Sequence, residues 1–175
     1  MKKILVIIDM QNDFVTGPLG SEQAQKILPL ILEYAKTFAG KILFTKDTHG
    51  SDYLNGREGK KLPVPHCIQC TPGWELALPL DSFQKETGSP VFCKPTFGSI
   101  QLAQALYAEN EKDPIQEIQL VGVCTDICVI SNALTLRSFL PETPIAVVAS
   151  LCAGTSPQGH QNALDAMAGC QIDIL

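Results

Sequence analysis

Along the chain, short runs of apolar residues alternate with stretches in which apolar positions recur every three or four residues. The runs Lys3–Asp9, Lys41–Lys46, Pro90–Lys94, Gln116–Val123, Ile145–Ser150 and Gln171–Leu175 are rich in Ile, Val, Leu and Phe. They show little polar alternation, which predicts strands covered on both faces. The periodic stretches Ser21–Ala39, Ser99–Glu109, Asp126–Leu140 and Pro157–Met167 predict helices. In the first of these, Ile27, Leu28, Ile31, Leu32, Ala35 and Phe38 repeat at helical spacing, and Ser21 stands where an N-cap side chain is needed. The order β-α-β, then β-α-β-α-β-α-β, predicts an α/β fold: a three-layer α/β/α sandwich around a mainly parallel, six-stranded sheet. Neither a repeat nor a linker interrupts the order, so residues 1–175 read as one domain.

From Asp47 to Ser89 the rhythm stops. The segment is dense in Gly, Pro and polar residues and holds no long periodic stretch. A loop of that length inside a compact domain is usually functional or disordered, and its His, Cys and acidic residues favour function.

Composition narrows the choice of partner. With 45% hydrophobic and 18% charged residues, the chain has material for a real core. Thirteen Lys and Arg against 18 Asp and Glu give a net charge of −5, and no basic run occurs. That removes the electrostatic footprint of a protein that binds nucleic acid or anionic lipid, so a small molecule is the expected partner. The opening Lys2-Lys3 is followed by only five apolar residues before Asp9. A secretory core needs about 7–15 apolar residues and a membrane helix about 20, so the run is expected to be a strand. Seven cysteines, an odd number, scattered through a chain this long predict free thiols in a reducing cytoplasm.

Ligands of open α/β sheets bind at the carboxyl ends of the strands, and the residues there carry chemistry. Asp9 follows the first predicted strand, Asp47 and His49 the second, Lys94 ends the third, and Cys124 and Cys128 follow the fourth. A cysteine where a strand turns into a helix lies near free N–H groups and the positive end of the helix dipole, which favour a thiolate and can hold an oxyanion. Spacing does not choose between Cys124 and Cys128. Thiol, carboxylate and ammonium together supply a nucleophile, a base for its proton and a cation for the charged partners. Asp47, His49, Glu58 and His66 form a second set, since Asp-x-His on a strand places both side chains on one side. Two imidazoles with one or two carboxylates suit Zn2+, with Fe2+ or Mn2+ as alternatives. Cys67-Ile68-Gln69-Cys70 offers a rival reading, in which His66, Cys67 and Cys70 bind zinc or sense redox state. It follows prolines rather than opening a helix and has no second pair. Cys93, Cys152 and Cys170 read as core, and His160 as a surface or capping residue.

Three of these segments in combination resemble the signatures of the isochorismatase-like cysteine hydrolases, and within them the nicotinamidases. They are Asp9-Met10-Gln11-Asn12-Asp13-Phe14, Lys94-Pro95-Thr96-Phe97-Gly98-Ser99 and Gly122-Val123-Cys124-Thr125-Asp126-Ile127-Cys128-Val129. The resemblance spans essentially the whole chain. It implies that Asp9, Lys94 and Cys128 are the catalytic triad, that the Val123–Cys124 peptide is cis, and that the N–H groups of Cys124 and Cys128 form the oxyanion hole. It implies equally that Asp47, His49 and His66 hold a divalent metal, with Glu58 as the extra carboxylate of some members, and that the protein is a homo-oligomer. Nicotinamidases carry an aromatic residue just before Pro-Pro-His, whereas here the stretch is Leu62-Pro63-Val64-Pro65-His66. Leu62 is therefore expected to be one wall of the substrate slot, with Phe14 and Trp74 as further walls. The function implied is a cysteine-dependent amidohydrolase that converts nicotinamide to nicotinate through a thioester. Hydrolysis of another small amide or of a vinyl ether is the alternative.

Overall fold

A computed structural model describes residues 2–175. Its centre is β1 (Lys2–Ile8), flanked by β2 (Lys41–Asp47) and β4 (Ile115–Val123). With β3 (Val91–Lys94), β5 (Ile145–Ala153) and β6 (Asp173–Ile174) these form one six-stranded sheet in the order β3-β2-β1-β4-β5-β6. Every pairing is parallel, and Val6 lies opposite Leu43 on one side and Leu120 on the other.

The lack of alternation in β1 has a direct cause. Ile4, Val6 and Ile8 enter one core and Leu5 and Ile7 the other, all fully buried. The first core packs beneath α5 (Ile100–Asn110), α6 (Ile130–Phe139) and α7 (Pro157–Gly169). The second packs beneath α1 (Asn12–Val15) and α2 (Glu22–Thr37), so the architecture is the expected three-layer sandwich. Ser21 caps α2 as expected, its hydroxyl accepting the Ala24 N–H at 3.1 Å.

Strand order reverses between β1 and β4, which makes their carboxyl ends the natural crevice of the sheet. The strands approach closely there. Gly122 has φ +119°, and a Cβ on it would lie 2.2 Å from the Ile8 carbonyl oxygen, so only glycine fits.

Three expectations need correction. The 47–89 segment is not one irregular loop, for it contains a short helix α3 (Arg57–Lys61) and an eight-residue helix α4 (Leu80–Thr87). Leu80 alone is buried in α4, too little apolar periodicity to mark a helix. The helix expected from Asp126 begins as a π-helical turn, Thr125–Val129, before α6 proper. Cys93 and Cys170 are exposed, one on the edge strand β3 and one at the end of α7; Cys152 is the buried member of that group. Among the described residues no helix is long and apolar enough to cross a membrane.

Candidate active site

Asp9, immediately after β1, has a φ of 49°, a left-handed conformation that Asp accepts more readily than most residues. Its carboxylate is fully buried and held by the neighbouring strand. Thr45 on β2 donates its hydroxyl to Asp9 Oδ1 at 2.6 Å and accepts the Asp9 backbone N–H at 3.2 Å. Lys94, the last residue of β3, is equally buried rather than snorkelling to solvent. Its Nζ lies 2.6 Å from Asp9 Oδ2, 3.4 Å from Cys128 Sγ, 3.4 Å from Asp47 Oδ1 and 3.2 Å from the Thr96 carbonyl. Cys128 sits in the π turn between β4 and α6, and the Val123–Cys124 peptide just before that turn is cis.

Charges in this cluster depend on one another. Burial pushes the Cys128 thiol well above its usual range; the Asp9 carboxylate adds to the shift and the Lys94 ammonium opposes it. Asp9 is also raised, because burial outweighs the pull of Lys94 and the charge on Asp47 adds to it. Burial works against the Lys94 ammonium, but Asp9, Cys128 and Asp47 outweigh it and raise its pKa. A thiol and a carboxylate therefore compete for one proton beside a permanent cation, an arrangement suited to moving that proton between them.

The second set assembles alongside. Asp47 Oδ2 lies 2.9 Å from His49 Nε2 and 3.5 Å from His66 Nε2, and Glu58 Oε1 is 3.7 Å from each imidazole nitrogen. Burial would raise Asp47, yet hydrogen bonds from the two histidines and the charge on Lys94 hold it far below the usual carboxylate range. Burial would lower His66, but Asp47, the Val64 carbonyl and Glu58 raise it. His66 Nδ1 lies 2.8 Å from the Val64 carbonyl oxygen, which can only accept. A proton therefore stays on Nδ1, and Nε2, which faces Asp47, is the nitrogen that would bind a metal once it gives up its own proton. Tetrahedral zinc with bonds of about 2.0–2.1 Å separates its ligands by about 3.3 Å. The four donor atoms here lie within 4.8 Å of one another, which fits a divalent ion.

Cys128 of the first set and Asp47, Glu58 and His66 of the second open on one pocket of about 350 Å3, which Cys124 also lines, while Asp9 and Lys94 lie buried behind it and His49 lines a neighbouring cleft. Phe14, Leu62 and Phe97 supply apolar walls, so Phe14 and Leu62, two of the three residues expected to wall a substrate slot, line this pocket. Trp74 does not. Its ring lies 3.2 Å from Lys46 Nζ and its Nε1–H donates to Thr48 Oγ1 at 2.8 Å, interactions that keep it outside the pocket lining. The Cys67–Cys70 pair also separates: Cys67 is buried in the core beneath α2, Cys70 is exposed, both are free, and neither belongs to the donor cluster.

Several residues here escape a reading by spacing. Thr45 orients Asp9. Asn132, one turn after Cys128, donates to the Cys128 and Phe97 carbonyls and accepts the Ser99 N–H, tying the Cys128 turn to the segment after Lys94. His160 is neither a free surface residue nor a cap, since its Nδ1 pairs with Thr125 Oγ1 at 2.8 Å inside the same turn. Only Asn132 left a signal, its i+4 spacing from Cys128.

Comparison with known proteins places this geometry. The chain is 26% identical over 204 residues to the nicotinamidase of Schizosaccharomyces pombe, covering 98% of this chain and 91% of that one. The structure of the nicotinamidase/pyrazinamidase PncA from Bacillus subtilis superposes with a TM-score of 0.84, at 26% identity and 99% coverage of both chains. The pyrazinamidase of Pyrococcus horikoshii, solved in complex with zinc, superposes with a TM-score of 0.79 at 25% identity, covering 100% of this chain and 99% of that one. Residues 3–175 match the isochorismatase domain, so the chain belongs to the isochorismatase family.

Proposed function

We propose that this protein is a cysteine-dependent amidohydrolase of the nicotinamidase type, converting nicotinamide and water to nicotinate and ammonia through a thioester on Cys128. One observation carries the reading. Lys94 Nζ lies within 3.4 Å of both Asp9 Oδ2 and Cys128 Sγ, and Cys128 opens on the same pocket as Asp47, Glu58 and His66. The nicotinamidases among the relatives support the choice of substrate.

In this mechanism Asp9 accepts the Cys128 proton and the sulfur attacks the amide carbonyl. The N–H groups of Cys124 and Cys128 receive the oxyanion. The C–N bond then breaks, and ammonia leaves with the proton that Asp9 returns. Asp9 next takes a proton from the water that attacks the thioester; the acid departs and the thiol is restored. Lys94 stays charged throughout and stabilises whichever partner is the anion. Asp47, His49, Glu58 and His66 would hold the metal, which when bound supplies a Lewis acid for a ring nitrogen and so orients the substrate. Zinc is the first choice, given the zinc complex of the relative from Pyrococcus horikoshii. The free cysteines and acidic charge fit a cytoplasmic enzyme.

Leu62 favours a second reading within the same chemistry, because an aliphatic wall stacks less well on a pyridine than an aromatic one. Another small carboxamide is then the preferred substrate. The test is ammonia release from nicotinamide by zinc-loaded protein, run beside Cys128→Ala. Turnover lost in the variant supports the thioester, and turnover that persists in it overturns it. Inert nicotinamide, with Cys128 still alkylated by iodoacetamide, transfers the assignment to another carboxamide.

A further inference from the structure

The motif after β1 contributes Asp9 to the triad and Phe14 to the pocket, which leaves Gln11, Asn12 and Asp13 without a task. Their side chains reach three different parts of the 47–89 segment. Gln11 is fully buried; its Oε1 accepts the Asp47 N–H at 2.7 Å, and its Nε2 donates to the Asp47 carbonyl at 2.9 Å and the Trp74 carbonyl at 2.8 Å. Both N–H donors and the acceptor of the carboxamide are thereby used. Asn12 Nδ2 donates to the Pro72 carbonyl at 2.8 Å. Asp13 Oδ2 accepts the Cys67 N–H at 2.8 Å. The segment's backbone lies flush against that carboxylate, since a Cβ on Gly73 would be 2.2 Å from both Asp13 oxygens.

Two of these contacts bear directly on the donor cluster. Gln11 grips Asp47 by its own N–H and C=O, fixing the backbone from which that carboxylate projects. Asp13 fixes Cys67, the residue after His66, which has a φ of 46° that nothing in its side chain favours. The same Cys67 carbonyl accepts the His49 N–H at 3.0 Å. An apolar side chain would fill the space but leave the Asp47 N–H and the Asp47 and Trp74 carbonyls without this partner, so the carboxamide is what holds the Asp47 backbone in one place.

We infer that Gln11 and Asp13 are positioning residues for the metal site: two and four residues after the base Asp9, they set Asp47 and His66 in register with the triad. The inference rests on the metal reading above, and the experiment separates the two. Zinc affinity would be measured by competition with a chromophoric chelator for the wild type, Gln11→Glu, Asp13→Ala and Asp13→Asn. In the metal-free proteins, iodoacetamide labelling of Cys67 and Cys128 would be followed by mass mapping. Gln11→Glu puts an acceptor where two carbonyls need a donor. It and Asp13→Ala should each weaken zinc roughly 10–100-fold, the usual effect of removing an outer-shell partner. Labelling of buried Cys67 should rise about tenfold, as local opening exposes it, with Cys128 within about twofold of wild type. Asp13→Asn keeps an oxygen for the Cys67 N–H and should retain affinity within about threefold.

Unchanged zinc affinity and unchanged Cys67 labelling in both Gln11→Glu and Asp13→Ala overturn the inference. So does an Asp13→Asn protein as weak as Asp13→Ala, which would point to charge rather than position. Should Gln11→Glu fail to fold, the Asp13 pair, at a partly exposed side chain, decides alone. A wild-type chain that holds no zinc overturns the metal reading itself, and Cys67 labelling then decides whether the two residues position the segment.

Discussion

Asp9, Lys94 and Cys128 stand within a few residues of hydrogen-bonded strands, whereas Glu58 and His66 hang from a segment whose regular structure is two short helices and two single turns. The first group inherits its precision from the sheet. A parallel ladder fixes the ends of β1, β3 and β4 relative to one another, and the side chains follow. The second group has no continuous ladder: isolated bridges pair His49 with Ile68 and Gln11 with Leu76, and the side chains of Gln11, Asn12 and Asp13 reach across to complete the hold. Asp47 belongs to both: it ends β2, gives Oδ1 to Lys94 and turns Oδ2 towards the histidines. On the proposed mechanism, this difference puts the chemistry of bond breaking on the rigid half of the site and that of substrate holding on the adjustable half.

The sharpest break in this comparison comes from Cys128→Ala. Turnover should fall by about 10⁶-fold, the scale found for loss of a nucleophile, with zinc affinity within about twofold because no metal donor is touched. His66→Ala should do the opposite. Zinc affinity should drop by at least about 100-fold and the KM for a ring amide should rise, while alkylation of Cys128 continues at the wild-type rate. A His66→Ala protein with unchanged metal content and KM would show that the two halves are not divided by task. Metal removal by chelation should reproduce the His66→Ala phenotype and be reversed by adding zinc.

A smaller effect tests the adjustable half alone. Leu62, 36% exposed at the pocket wall, has room for a larger side chain. Leu62→Trp should lower the KM for nicotinamide by roughly 2–10-fold, the gain of one aromatic pair, and leave kcat unchanged. An unchanged KM would mean that the ring does not lie against this wall.

How much of this was legible beforehand follows the same division. The strands could be read because burial on both faces of Ile4–Ile8 leaves an unbroken apolar run, and their ends named Asp9, Asp47, Lys94 and Cys128. The donors of the loop were legible by type, since two of three histidines fall near two acids. The internal structure of the loop was not. α4 buries only Leu80, and the contacts of Gln11 and Asp13 span 36 and 54 residues, distances at which no local pattern survives. Trp74 misled for a related reason: its place beside Lys46 is a tertiary choice that neither residue announces.

The least disruptive probe acts on the rigid half. Burial raises Asp9, and the Thr45 hydroxyl, donating to Oδ1, works against that rise by favouring the carboxylate. Asp9 must be unprotonated to accept the Cys128 proton, so kcat/KM should fall on the acid side with a limb above about 3.9, the ordinary aspartate value. Removing a donor to the carboxylate raises its pKa further. Thr45→Val should therefore move the limb to higher pH by roughly 0.5–1 unit, equivalent to one hydrogen bond of about 0.5–1.5 kcal/mol. Thr45→Ser keeps the hydroxyl and should leave the limb in place. Zinc affinity should be the same in both, because Thr45 touches Asp9 and no metal donor. A limb that stays put in Thr45→Val, or moves towards acid, would take the proton of this reaction away from Asp9 and leave the rigid half without its base.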